Sequence, residues 1–88
     1  MKVEFLKQFS KDLDKLNSKS TKRSLLRVIE SLEVAENLET IPNSKKLKGF
    51  KSAYRIRIGD YRLGLFYENS TVLLARFAHR KEIYGLFP

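Results

Sequence analysis

A chain of 88 residues with no cysteine, one histidine and a formal charge of +8 has room for a single compact domain. Without cysteine it has no disulfide scaffold, no thiolate-bound zinc and no thiolate nucleophile, and one histidine excludes a histidine-rich metal site. The charge is lopsided: residues 1–44 hold 8 basic and 7 acidic side chains, whereas residues 45–88 hold 10 basic and 3 acidic. Such a field suggests an anionic partner (nucleic acid, an acidic protein or anionic lipid), and it suits nucleic acid or an acidic protein somewhat better than it suits a merely basic soluble surface.

No apolar run approaches the ~20 residues of a membrane span. The opening MKVEFLKQFSKDLDKL threads acids and lysines through its apolar residues, unlike a signal peptide, so a cytoplasmic address is expected. Residues 2–5 alternate polar and apolar, which predicts a short strand. The period then changes: Phe5, Phe9, Leu13 and Leu16, with Leu6 beside them, predict an amphipathic helix of about three turns. Asn17-Ser18-Lys19-Ser20 interrupts it, and Ser18 or Ser20 can cap a second helix whose stripe is Leu25, Leu26, Ile29 and Leu32. So short a connection predicts an antiparallel helical hairpin. Residues 37–46 read as a connector, with Pro42 disfavouring helix at Ile41.

From Ala53 the period is two, with Tyr54, Ile56 and Ile58 on one side and Arg55 and Arg57 on the other. Gly59-Asp60 suits a type II′ hairpin turn, a second strand runs from Tyr61 to Tyr67, and after a turn at Glu68-Asn69-Ser70 a third runs from Thr71 to Phe77. The expected architecture is one α+β domain over residues 1–88: an N-terminal strand, a two-helix antiparallel hairpin, then an antiparallel β-meander packed on the helices.

A two-residue turn sets Ile58 against Tyr61, Arg57 against Arg62, Ile56 against Leu63 and Arg55 against Gly64. The apolar pairs then share the helix-facing side, and Arg55, Arg57 and Arg62 collect on the other. Like charges directly opposed across strands cost up to ~1 kcal/mol, which folding alone does not explain and a bound polyanion offsets. The plain alternative is arginines extended into water. Gly64 is expected to leave that face open to a ligand backbone, and the guanidinium fork suits phosphate oxygens.

A second cluster, Arg76-Phe77-Ala78-His79-Arg80-Lys81-Glu82-Ile83-Tyr84, mixes cations with aromatic rings, the ingredients of phosphate clamping and base stacking. His79 is the natural candidate for proton transfer, against a solvated or packed imidazole. Tyr84 is either a base platform or a core aromatic closing over Phe77 and Ile83. No glycine-rich phosphate loop is present, and Glu30, Glu33 and Glu36 read as a solvated helix face rather than a catalytic carboxylate pair.

Three blocks together (Leu47-Lys48-Gly49, Tyr54-Arg55-Ile56-Arg57-Ile58-Gly59-Asp60-Tyr61-Arg62 and His79-Arg80-Lys81-Glu82-Ile83-Tyr84) resemble the RelE/ParE superfamily of type II toxin-antitoxin toxins, over nearly the whole chain. The resemblance implies a RelE-like fold, a cytoplasmic toxin and a cognate antitoxin, with operator DNA reached only through the antitoxin complex. In the RelE branch it implies a ribosome-dependent endoribonuclease that cuts mRNA in the A site by attack of a ribose 2′-OH on the adjacent phosphate, needing no metal or cofactor. In the ParE branch it implies a non-nuclease inhibitor of DNA gyrase, and an inactive toxin-derived binding module is a third reading. Positions matching the RelE-type site are Arg55, Arg57, Arg62, Arg80 and Tyr84, with His79 at a basic position. Lys46, Lys48, Lys51, Arg76 and Lys81 are expected to add RNA contacts. Arg55 and Arg57 stand where the best-known RelE pattern has lysines; arginine does not give up its proton, so it binds phosphate but is a poor base. Proton transfer then falls to His79, or the chemistry relies on positioning and charge alone.

Overall fold

The computed structural model describes residues 1–88. Strand β1 (Lys2–Phe5) leads into helix α1 (Lys7–Asp14), which is nearer two turns than the three its apolar spacing predicts. Tertiary pairing explains the shortfall: Phe5 is in register with Leu74 and the Leu6 N–H donates to the Leu74 carbonyl at 2.9 Å, which holds both residues extended. Helix α2 (Lys19–Val34) is capped by Ser18, whose Oγ accepts from the Thr21 N–H at 3.2 Å. Leu25, Ile29 and Leu32 are buried at helical spacing, whereas Leu26, one position off that stripe, is 55% exposed. No helix is long and apolar enough to cross a membrane.

A five-stranded sheet follows, built from β2 (Ser44–Lys46), β3 (Ala53–Ile58), β4 (Tyr61–Glu68) and β5 (Thr71–His79) in the order β1-β5-β4-β3-β2. The meander β2 to β5 is antiparallel, and β1 joins it parallel to β5. The Gly59-Asp60 hairpin has the register its two-residue length predicts, with Gly59 at φ 59° in the region where a Cβ would be strained. Strand β2 falls inside the expected connector. Its residues, Ser-Lys-Lys, show no apolar alternation, and it exists because the edge of β3 offers backbone groups to pair with.

The main core lies between the helices and one sheet face, where Phe9, Leu32, Ile56, Leu63, Leu65 and Leu74 are sealed from solvent. A smaller cluster of Leu47, Ala53, Ala75, Ile83 and Phe87 sits apart from it. It packs against the opposite face through the short C-terminal helix α3 (Ile83–Leu86). This corrects the expectation that Gly64 opens that face to a ligand. A Cβ at Gly64 would stand 2.6 Å from the Phe87 ring, so the hollow is filled by the chain's own C-terminus. A bulge beside Gly64, opposite Ala75, shifts the alternation of β5, so that Leu74 and Phe77 both reach the main core although three residues apart.

Candidate functional site

Residues opposed across an antiparallel pair share a sheet face, and register therefore assembles the basic site. Arg55 lies between Lys45 on β2 and Gly64 on β4, and Arg57 lies against Arg62. Together with Tyr84 from α3, with Asn43 in the turn before β2 and with Ser44 at the start of that strand, they line a cavity of about 400 Å³. None of the three arginines is ion-paired; the salt bridges of the molecule join Lys2 to Glu4, Arg76 to Asp12 and Arg80 to Asp60.

Neutral groups hold the guanidinium groups instead. Arg57 Nη2 donates to Asn43 Oδ1 at 3.2 Å, and Asn43 adopts φ 65°, a left-handed conformation that asparagine tolerates. Arg62 Nη1 donates to the carbonyls of Gly59 and Tyr61 at 3.0 and 2.9 Å, folding back on the hairpin turn. The Arg55 guanidinium lies 4.5 Å from the centre of the Tyr84 ring, a cation–π contact worth about 0.5–1 kcal/mol at an exposed site. These contacts orient the positive groups without cancelling their charge.

Tyr84 is 74% exposed, so it is not the core aromatic; Ile83 and Phe87 are buried in its place. His79 is not brought to the arginines. Its ring stands edge-on to Tyr61 at 5.6 Å, and Tyr61 stacks on Phe77 of the main core, which puts His79 on the helix side of the sheet. Its Nδ1 accepts from the Lys81 N–H at 3.2 Å, closing the turn after β5. The proposed transfer of a proton by His79 at the arginine cluster is therefore corrected: the sheet separates the two.

Arg76 is also corrected. Strand β1 ends at Leu74 in its pairing with β5, and Asp12 of α1 takes over the next positions. Asp12 Oδ2 accepts from the Phe77 N–H at 2.9 Å, and its two oxygens accept from Arg76 Nε and Nη2 at 2.9 and 3.2 Å. Arg76 is thus a structural partner of α1, only 20% exposed at its side chain, and is not free for RNA. Lys46 is opposed to Tyr54, which packs against the main core, so it lies on the helix side and Lys45 takes the site side. Lys48 and Lys51 are exposed in the loop between β2 and β3, outside the cavity. Arg80, expected to join the arginine site, is not among the residues lining the cavity: it and Lys81 are exposed beyond β5, with Arg80 Nε 4.0 Å from Asp60 and its backbone N–H donating to the Asp60 carbonyl at 2.7 Å.

Asn43, Ser44 and Lys45 were not singled out from the sequence. The only local signal for them was the Pro42-Asn43 turn; the register of β2 then puts Lys45 on the arginine face, whereas Ser44, opposed to Ile56, donates its hydroxyl to the Leu38 and Ile41 carbonyls.

Residues 3–84 match the family described as the ParE toxin of type II toxin-antitoxin system, parDE. The chain belongs to this toxin family. The toxin is 40% identical to a protein named Toxin RelE3 from Methanocaldococcus jannaschii, with both chains covered in full. Its fold matches the crystal structure of a RelB-RelE antitoxin-toxin complex from Methanococcus jannaschii with a TM-score of 0.83 at 34% identity, over 97% of this chain and 99% of the other. An archaeal RelE-RelB complex from Pyrococcus horikoshii matches with a TM-score of 0.74 at 26% identity, over 93% and 97%.

Proposed function

We propose that this type II toxin is a ribosome-dependent mRNA endoribonuclease. The observation that carries the reading is the row of Arg55, Arg57 and Arg62, held by neutral partners and unpaired with any carboxylate, beside an exposed tyrosine. Phosphodiester cleavage by a neighbouring 2′-OH needs stabilisation of the charge that builds on the phosphoryl oxygens, and fixed donors already facing that charge provide it. Arg55, Arg57 and Arg62 hold the scissile phosphate. Tyr84 offers its exposed ring to an unstacked base, with Arg55 fixing the ring. Arg80 and Lys81 contact flanking phosphates. The 2′-oxygen is itself the nucleophile, so the reaction needs no resident metal or cofactor.

A cognate antitoxin is the expected partner, since related toxins are crystallised with RelB. An acidic or amphipathic segment covering the basic face fits the charge of residues 45–88. The setting is the cytoplasm.

The test is expression followed by mapping of mRNA 5′ ends. Cuts inside translated codons are expected, and Arg55→Ala/Arg62→Ala is expected to lower cleavage by about 10²–10³-fold. A double variant as active as the parent would sink the site assignment. The ParE description of the family favours one second reading, a non-nuclease gyrase inhibitor. A DNA-damage response with intact mRNA would select it.

A further inference from the structure

We infer that Lys45 is the general acid of the site. The inference rests on the nuclease reading and assigns a residue to the departing 5′-oxygen. Attack of the 2′-oxygen forms the O2′–P bond while the P–O5′ bond breaks. The electron pair of that bond stays on O5′, and an alkoxide is a poor leaving group unless a proton reaches it. The 2′-OH proton goes to a solvent water. The products are a 2′,3′-cyclic phosphate and a 5′-hydroxyl.

The donor at O5′ must be able to exist in two protonation states, and most of the site lacks that property. Arg55, Arg57 and Arg62 keep their protons at any working pH. Asn43 and Ser44 do not titrate usefully. His79 lies across the sheet against Tyr61. Lys45 and Tyr84 remain among the cavity's lining residues.

Lys45 has the better placement. It is directly opposed to Arg55 on the neighbouring strand, so its ammonium and the phosphate-binding row share one face. The strands are ~4.8 Å apart, well within the reach of a four-carbon side chain to a phosphate held on that row. An ammonium also adds positive charge where negative charge develops, as a neutral phenol does not. Lys45 is exposed and makes no ion pair, so its proton is not committed elsewhere. After donating, the neutral amine regains a proton from water.

A substrate with a bridging sulfur at the 5′ position isolates this step, because a thiolate leaves without protonation. Ribosomes programmed with mRNA carrying either oxygen or sulfur at the scissile bond of the A-site codon are treated with wild-type toxin, Lys45→Ala, Lys45→Arg and Tyr84→Phe. Lys45→Ala and Lys45→Arg are expected to cut the oxygen substrate about 10²–10⁴-fold more slowly and the sulfur substrate at nearly the wild-type rate. Arginine retains the charge, so restoration of oxygen-substrate cleavage by Lys45→Arg would reduce Lys45 to an electrostatic contact and overturn the inference. Equal loss on both substrates, or sulfur relief for Tyr84→Phe alone, would overturn it too. In each of these outcomes wild-type cleavage stands and so does the nuclease reading. Wild-type toxin that cuts neither mRNA overturns both.

Discussion

Arg57 and Arg62 face each other across the β3–β4 hairpin and neither is in an ion pair, a pairing that costs the fold up to ~1 kcal/mol. Asn43 and the carbonyls of Gly59 and Tyr61 take up their donors but leave their charge. With the proposed phosphate-binding role, an opposed pair of this kind is expected to make function and stability pull apart. Arg57→Gln keeps a donor for Asn43 and removes the repulsion. It is expected to raise the unfolding free energy by a few tenths to ~1 kcal/mol in urea, while RNA affinity falls. A variant that loses stability and affinity together would mean that Arg57 matters mainly as a packing or hydrogen-bonding residue. Arg76 shows the opposite case, a cation committed to the fold: its bidentate bond to Asp12 ties β5 to α1 where β1 no longer covers the strand edge.

The C-terminal helix α3 positions part of the site although it is only four residues long. It cannot be stable alone. It is held by Ile83, fully buried, and by Phe87, whose ring fills the hollow over Gly64 and meets Phe66 at 5.1 Å. Tyr84 projects from that anchored turn to the Arg55 guanidinium. Gly64→Ala places a methyl 2.6 Å from the Phe87 ring, and the ring must leave. The expected result is rapid amide exchange over residues 83–87 with the rest of the sheet still protected. Phe87→Ala should reproduce it at a cost of about 3 kcal/mol, the low end for a buried phenylalanine. Unchanged protection in Gly64→Ala would show that Ile83 alone seats the helix.

At the scale of the whole molecule, a charge of +8 sits on a body with extents of 32 × 27 × 23 Å. On the nuclease reading, much of the affinity for single-stranded RNA is expected to come from released counterions. For single strands the slope of log affinity against log salt is about −0.7 per phosphate contact. Removing two contacts in Arg55→Ala/Arg62→Ala is expected to flatten the slope by about 1.4. The check is a salt titration of RNA binding by the variant and the parent. A loss of affinity with an unchanged slope would mean that these arginines do not touch phosphate.

What was legible in the sequence was whatever rests on local periodicity and turn chemistry. The helix stripe of Leu25, Ile29 and Leu32 (though not Leu26, which is exposed), the Ser18 cap and the two-residue Gly59-Asp60 turn all depend on near neighbours. From that turn followed the face shared by Arg55, Arg57 and Arg62. Contacts between distant segments decided the rest. The pairing of β2 with β3 put Lys45 rather than Lys46 on the arginine side. The bulge beside Gly64 and the side chain of Asp12 drew Arg76 to α1. His79 ended on the helix side, where it meets Tyr61, and Phe87 closed the hollow that glycine leaves. A short polar strand, a bulge and a packed terminus have no period of their own, because each takes its shape from a partner many residues away. The sequence by itself therefore determined which arginines stand together; only the tertiary structure decided which lysine, and not the histidine, stands with them.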